Sequence, residues 1–201
     1  MGAMIERADT KIVFDPLFHY EHDTYDRVPA EVETALLAGT EPWDGIDAVF
    51  ISHHHGDHFD PATILELLRA RQTIELFGPE QAAAAIRELV ADPSDPLLKR
   101  VHGLSLENGM AATDIKFGPL LVEAVRIPHS GWPDRRADVE NIVFRVTLDK
   151  ETTDALWRRG HGRCTFREES GALDRTTLAP CNATLLVLPV ERRPANPEGS
   201  N

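Results

Sequence analysis

The sequence predicts one layered α/β domain of the α/β (α+β) class, and three observations carry that prediction. Short apolar, β-branched runs alternate with helix-length segments along most of the chain, the pattern of sheet and helix layers packed on each other. A cluster of histidine and aspartate follows directly on a buried strand, so the chemistry lies at a strand C-terminus. The composition, 42% hydrophobic and 27% charged over 201 residues, is that of a globular chain with one sizeable core rather than two full domains.

Lys11–Phe14 is an apolar run stopped by Asp15-Pro16, which reads as a buried strand and a turn. The polar stretch Leu17–Asp44 follows, with one helix expected over Ala30–Leu37 after Pro29. Asp47–Ile51 is a second buried strand feeding into Ser52–His58. Asp60-Pro61 supplies an N-cap and a first-turn proline, and Ile64, Leu65, Leu67 and Leu68 give the following helix its apolar face. Thr73–Phe77 reads as a strand, Gly78-Pro79 as the start of the next helix, Gln81–Val90 as its continuation, and Pro93–Pro96 as a loop. Leu120–Ile127 and Asn141–Leu148 are further strands, bracketing a Pro-His-Ser-Gly-Trp-Pro loop at Pro128–Pro133. There is no internal repeat at the level of residue identity.

The formal net charge of −12 argues against a nucleic-acid backbone as partner unless a local basic patch overrides the total, and the partner expected is a small-molecule substrate. No stretch is long and apolar enough to span a membrane, and no secretion or myristoylation signal opens the chain. Cys164 and Cys181 make no disulfide framework, and the sequon at Asn182 is read as chance in a cytoplasmic protein. Oligomeric state stays open.

The chemistry is concentrated in Ser52-His53-His54-His55-Gly56-Asp57-His58. His53 and His55 stand two apart just past a strand, where extended backbone and a glycine turn aim both imidazoles at one ion. The adjacent pair Asp57 and His58 diverges toward a second position. Imidazoles with a carboxylate suit zinc, with iron or manganese as substitutes. A terminal tag would be the trivial source of such a string, but this one follows a buried strand and precedes a capped helix.

These residues resemble the metallo-β-lactamase superfamily, whose signature is His-x-His-x-Asp-His after a buried strand, and most closely its bacterial lactonase-like and metal-dependent hydrolases. The resemblance runs over roughly Ile5–Leu148. It implies a four-layer αββα sandwich with two Zn2+ ions at one edge, Mn2+ or Fe2+ being alternatives. His53 and His55 would bind the first metal, Asp57 and His58 the second, and His129, in a loop after a later strand, would add a ligand. Asp57 would also be the catalytic group, positioning a metal-bound hydroxide. Asp15 matches the family's Asp-Pro beside the site, either orienting ligands or simply closing a turn. Trp132 and Phe59 are candidates to line a substrate pocket, with plain packing the competing reading. His19, His22, His54, His102 and His161 receive no role.

The chain then departs from the family. A bridging aspartate in Gly-Asp and a final histidine are expected after Leu148, and neither is visible. From Ala155 to Asn201 there are seven arginines and no lysine. The expectation is therefore a metallo-β-lactamase-like domain over 1–153 and an aberrant or divergent, poorly ordered segment over 154–201. A frameshift near Thr152–Ala155 accounts for the change. Read one nucleotide later, the codons of Trp157–Cys164 can give Gly-Asp-Ala-Asp-Thr-Ala-Asp-Ala, the missing motif. The single tryptophan codon forces the glycine. The encoding DNA decides this reading, since Arg158 must end in A. The N-terminus is also expected to lack a family strand, leaving the fold incomplete at both ends.

The leading functional expectation is hydrolysis of an ester, lactone or related small substrate by a metal-bound hydroxide. A phosphodiesterase of the same fold and a catalytically inactive metal-binding remnant are the alternatives. Whether this chain is an enzyme is left open by the two absent ligands.

Overall fold

The computed structural model describes residues 2–19, 28–109 and 115–148, with three further strand segments at 151–153, 175–178 and 183–187. The chain begins with an antiparallel hairpin of β1 (Ala3–Arg7) and β2 (Thr10–Phe14). Next come α1 (Ala30–Ala38), β3 (Ala48–Phe50), α2 (Pro61–Ala70), β4 (Glu75–Pro79), α3 (Glu80–Leu89), a 3-10 turn at Pro96–Arg100 and β5 (Val101–Leu104). β2, β3, β4 and β5 run parallel in that spatial order. A second sheet is an antiparallel meander of β6 (Ile115–Phe117), β7 (Leu120–Ile127), β8 (Asn141–Leu148) and β9 (Glu151–Thr153). β10 (Arg175–Leu178) and β11 (Ala183–Val187) join the first sheet through β1, making it seven-stranded.

Both faces of the first sheet are covered, which is why β2 and β3 are buried at every position. Side chains alternate between two cores, as strand geometry requires. Val13, Val49 and Ile51 face the helices, among Leu36, Ile64, Leu67, Leu68 and Ile86. Ile12, Phe14, Ala48 and Phe50 face the second sheet, against Leu120, Val122, Ala124, Ile142 and Phe144. The described residues thus supply a helix layer and two sheet layers of the expected αββα sandwich.

The inter-sheet core is organised by a ladder of rings. Phe14, Phe50, Phe77 and His102 occupy paired positions on four neighbouring parallel strands. Their rings stack with centroids 5.1, 5.3 and 4.5 Å apart. Phe144 closes edge-on over Phe50 at 5.1 Å. His102 ends the ladder with its Nε2 hydrogen-bonded to Glu75 Oε2, so its place in the fold is structural.

Most elements form where the sequence predicts them. The α2 cap is as read, with the Asp60 carboxylate accepting from Thr63 N at 2.8 Å and Pro61 in the first turn. One strand moves: the expected Thr73–Phe77 is Glu75–Pro79, because the parallel register starts by pairing Ala48 with Glu75. Pro79 then serves as the α3 N-cap, and the helix spans Glu80–Leu89. The short strands Val101–Leu104 and Ile115–Phe117 were not anticipated, being too short for a readable alternation. His22, His161, Cys164, Cys181 and the frameshift motif over Trp157–Cys164 lie outside the described residues.

Candidate metal centre

Three elements deliver the site. Asp15 leaves the C-terminal end of β2, Ser52–His58 leaves that of β3, and His129 follows β7 of the other sheet. The register pairing Phe14 with Phe50 sets the first two side by side. Asp15 N donates to Phe50 O at 2.9 Å, and Ile142 N reaches across the sheets to Ser52 O at 2.8 Å. The loop closes on itself through His58 N and Phe59 N, both donating to His55 O at 2.9 and 3.0 Å.

The geometry brings together all five residues singled out as ligands. His53, His55 and His129 offer nitrogens within 4.8 Å of one another, and so do the ligand atoms of His53, Asp57 and His58. His53 therefore stands in both groups, whereas the sequence reading assigned it to the first alone. Its ring lies 4.9 Å from that of His55, 4.8 Å from His129 and 4.1 Å from His58, centroid to centroid. Asp57 Oδ2 is 3.9 Å from His58 Nε2.

His53 is buried, and burial, reinforced by the charges of His58, His129, His55 and His54, pushes its pKa down to about 2. Burial thus favours the neutral imidazole, the form that binds a cation. His55 is lowered in the same direction, by burial first and then by His129, His54 and Arg136, against a smaller opposing pull from Asp57.

The donor set fits a divalent cation. His129 Nδ1 lies 3.1 Å from the backbone carbonyl of Ser130, which can only accept. The Ser130 hydroxyl lies 3.2 Å from the same nitrogen; a proton on Nδ1 satisfies the carbonyl, and that tautomer leaves a lone pair on Nε2. This lone pair faces His53 Nε2 at 3.3 Å. Nitrogen donors converging from two sheets, with a carboxylate beside them, form a set able to hold a divalent cation.

The family model described as a β-lactamase superfamily domain matches residues 10–186, most of the chain. The chain belongs to the metallo-β-lactamase superfamily. Among solved structures it is similar to a protein of Parabacteroides distasonis ATCC 8503 assigned as a metal-dependent hydrolase, with 20% identity and a TM-score of 0.42, covering 73% of this chain and 51% of that one. It is similar also to human tRNase Z, short form, with 18% identity and a TM-score of 0.47, covering 75% of this chain and 59% of that one. The chain thus matches little more than half the length of either. No curated protein matches. Among the described residues of this superfamily member, no helix is long and apolar enough to cross a membrane.

The remaining candidates separate cleanly. Phe59 is 3% exposed and sits in the core beneath α2, so it packs and does not line a pocket. Trp132 is 52% exposed in the loop after His129. His19 pairs with Glu33 at 2.7 Å. Sequence reasoning gave Ser52 no role, yet its hydroxyl touches Asp15 and comes within 3.3 Å of His58 and 3.1 Å of His53. It also overlooked the clamp that holds the His129 loop. There Gln81 exchanges hydrogen bonds with Glu140 at 3.1 and 2.9 Å and donates to Asp138 O at 2.9 Å. Ser52 was open to view at the head of the cluster; the Gln81 clamp spans 59 residues and leaves no local signal.

Proposed function

We propose that this superfamily member is a two-metal hydrolase acting on an ester, lactone or related small substrate. The observation that carries the reading is the pair of ligand groups meeting at His53. His53, His55 and His129 would hold one cation, and Asp57 and His58, adjoining His53, a second. Cations held there would supply a water of lowered pKa and polarise a scissile carbonyl or phosphoryl oxygen. Zinc suits this ligand set, with manganese and iron as alternatives. Asp57, partly buried beside His58, is suited to orient the attacking water and accept its proton. The buried neutral His53 needs no deprotonation before it binds.

A phosphodiester substrate is the second reading, and Arg136 favours it. The charge of Arg136 reaches His55, and neither Arg136 nor Arg135 forms an ion pair with another described residue. A guanidinium with no ion pair among the described residues, beside a candidate metal site, suits an anionic group better than a neutral ester.

The test is metal content together with turnover. Chain loaded with zinc or manganese is assayed against a simple lactone, a neutral aryl ester and an aryl phosphodiester. Close to two metals per chain with turnover of any of these supports the hydrolase. One loosely held metal and no turnover leaves an inactive metal-binding protein. The domain boundary at 153 and the frameshifted segment remain part of this reading, and sequencing the DNA across codons 145–201 tests them.

A further inference from the structure

Asp15 is buried to 1% exposure, and its two carboxylate oxygens are fully engaged. Oδ1 accepts from Ser52 N at 2.7 Å. Oδ2 accepts from the Ser52 hydroxyl at 2.7 Å and faces His58 Nδ1 at 2.8 Å. A serine hydroxyl has one proton, and here it is directed to the carboxylate. What the oxygen presents to its other neighbours is therefore lone pairs. One of those neighbours is His53 Nδ1, 3.1 Å away.

A bare Nδ1 would set lone pair against lone pair in a buried place, which is unfavourable. A protonated Nδ1 completes the chain of donors: His53 N–H to Ser52 Oγ, and Ser52 O–H to Asp15. We infer that Ser52 is a positioning residue that relays the Asp15 carboxylate to His53, fixing His53 as the Nδ1–H tautomer with its Nε2 lone pair free for a cation. The same carboxylate acts on His58 directly. One buried acid thus sets the proton positions of a histidine shared by both ligand groups and of the ligand beside it. The relay also explains the cost borne at Asp15, whose φ of 40° is left-handed for a residue with a Cβ. The inference depends on the proposed metal centre for its purpose but not for its test.

The test reads the tautomer in the full chain without metal. Long-range 1H–15N correlation of the histidine side chains at pH 7.5 gives the protonated nitrogen of His53 directly. The wild type is expected to show a protonated Nδ1 and a bare Nε2. Ser52→Ala should give a tautomer mixture and weaken zinc binding by about tenfold in a chelator competition, the lower end for outer partners of metal ligands. Ser52→Thr, which keeps the hydroxyl, should restore both. A protonated Nε2 in the wild type overturns the inference, even if Ser52→Ala fails to fold. Weakened binding with an unchanged tautomer in Ser52→Ala also overturns it, since the hydroxyl would then act by packing alone. A chain that has the expected tautomer but hydrolyses nothing refutes the hydrolase reading and leaves this one standing.

Discussion

Asp15 Oδ2 lies 2.8 Å from His58 Nδ1, joining the end of β2 to the last histidine of the β3 loop. The two residues are 43 positions apart and meet because parallel strands end side by side. Metal-binding histidines depend on such partners for ring orientation and basicity.

Asp15→Asn is the direct test of that contact. Asparagine tolerates the left-handed backbone, so the turn should survive. Its amide offers one oxygen where three donors now converge, and its NH2 opposes one of them. Metal affinity should fall by ~10- to 100-fold, read by competition with a coloured chelator. Unchanged affinity would show that Asp15 only closes the turn.

The two ligand groups differ in what each loss removes. His129→Ala takes a donor only from the group containing His55. It should reduce bound zinc toward one ion per chain, measured by elemental analysis after desalting. His53→Ala with His55→Ala should abolish uptake, because it strips the residue common to both groups. Retained stoichiometric metal in the double variant would refute the assignment.

Acid should destabilise the metal-free protein through His53. Its folded pKa of about 2 lies below the ordinary 6.5. Between those values the unfolded chain holds a proton that the folded chain does not. Stability is therefore complete above 6.5 and falls as the pH drops below it, by at most about 1.4 kcal/mol per pH unit for one group. Urea denaturation of the metal-free chain between pH 7.5 and pH 5 measures the slope, and His53→Gln should flatten it. An equal slope in the variant would remove His53 as the cause.

Arg136→Gln separates the two substrate readings. If the substrate is anionic, kcat/KM for an aryl phosphodiester should fall about tenfold or more, while that for a neutral aryl ester holds. Equal losses on both would point to the loop's shape rather than its charge.

Phe50 is fully buried in the ring ladder between Phe14 and Phe77. Phe50→Ala should cost ~3–5 kcal/mol, from lost burial and the cavity left behind, seen as a lower denaturation midpoint. Loss below 1 kcal/mol would mean that the two sheets close over the gap.

The sequence by itself determined the layered class, the capped α2 helix, the strand that feeds the cluster, and the family through His53, His55, Asp57 and His58. Those features are local: a hydrophobic run, a cap and a ligand spacing are complete within a few residues. His129 was also legible, because a histidine beside a glycine at a strand end is a local pattern. Tertiary structure decided what depends on register and on contacts across the chain. It moved β4 by two residues to match β3, buried Phe59, and made His53 common to both ligand groups. It also joined Asp15 to His58 and Ser52 and brought Arg136 within electrostatic reach of His55. None of these leaves a spacing in the sequence, because each arises where two strands or two sheets are packed edge to edge.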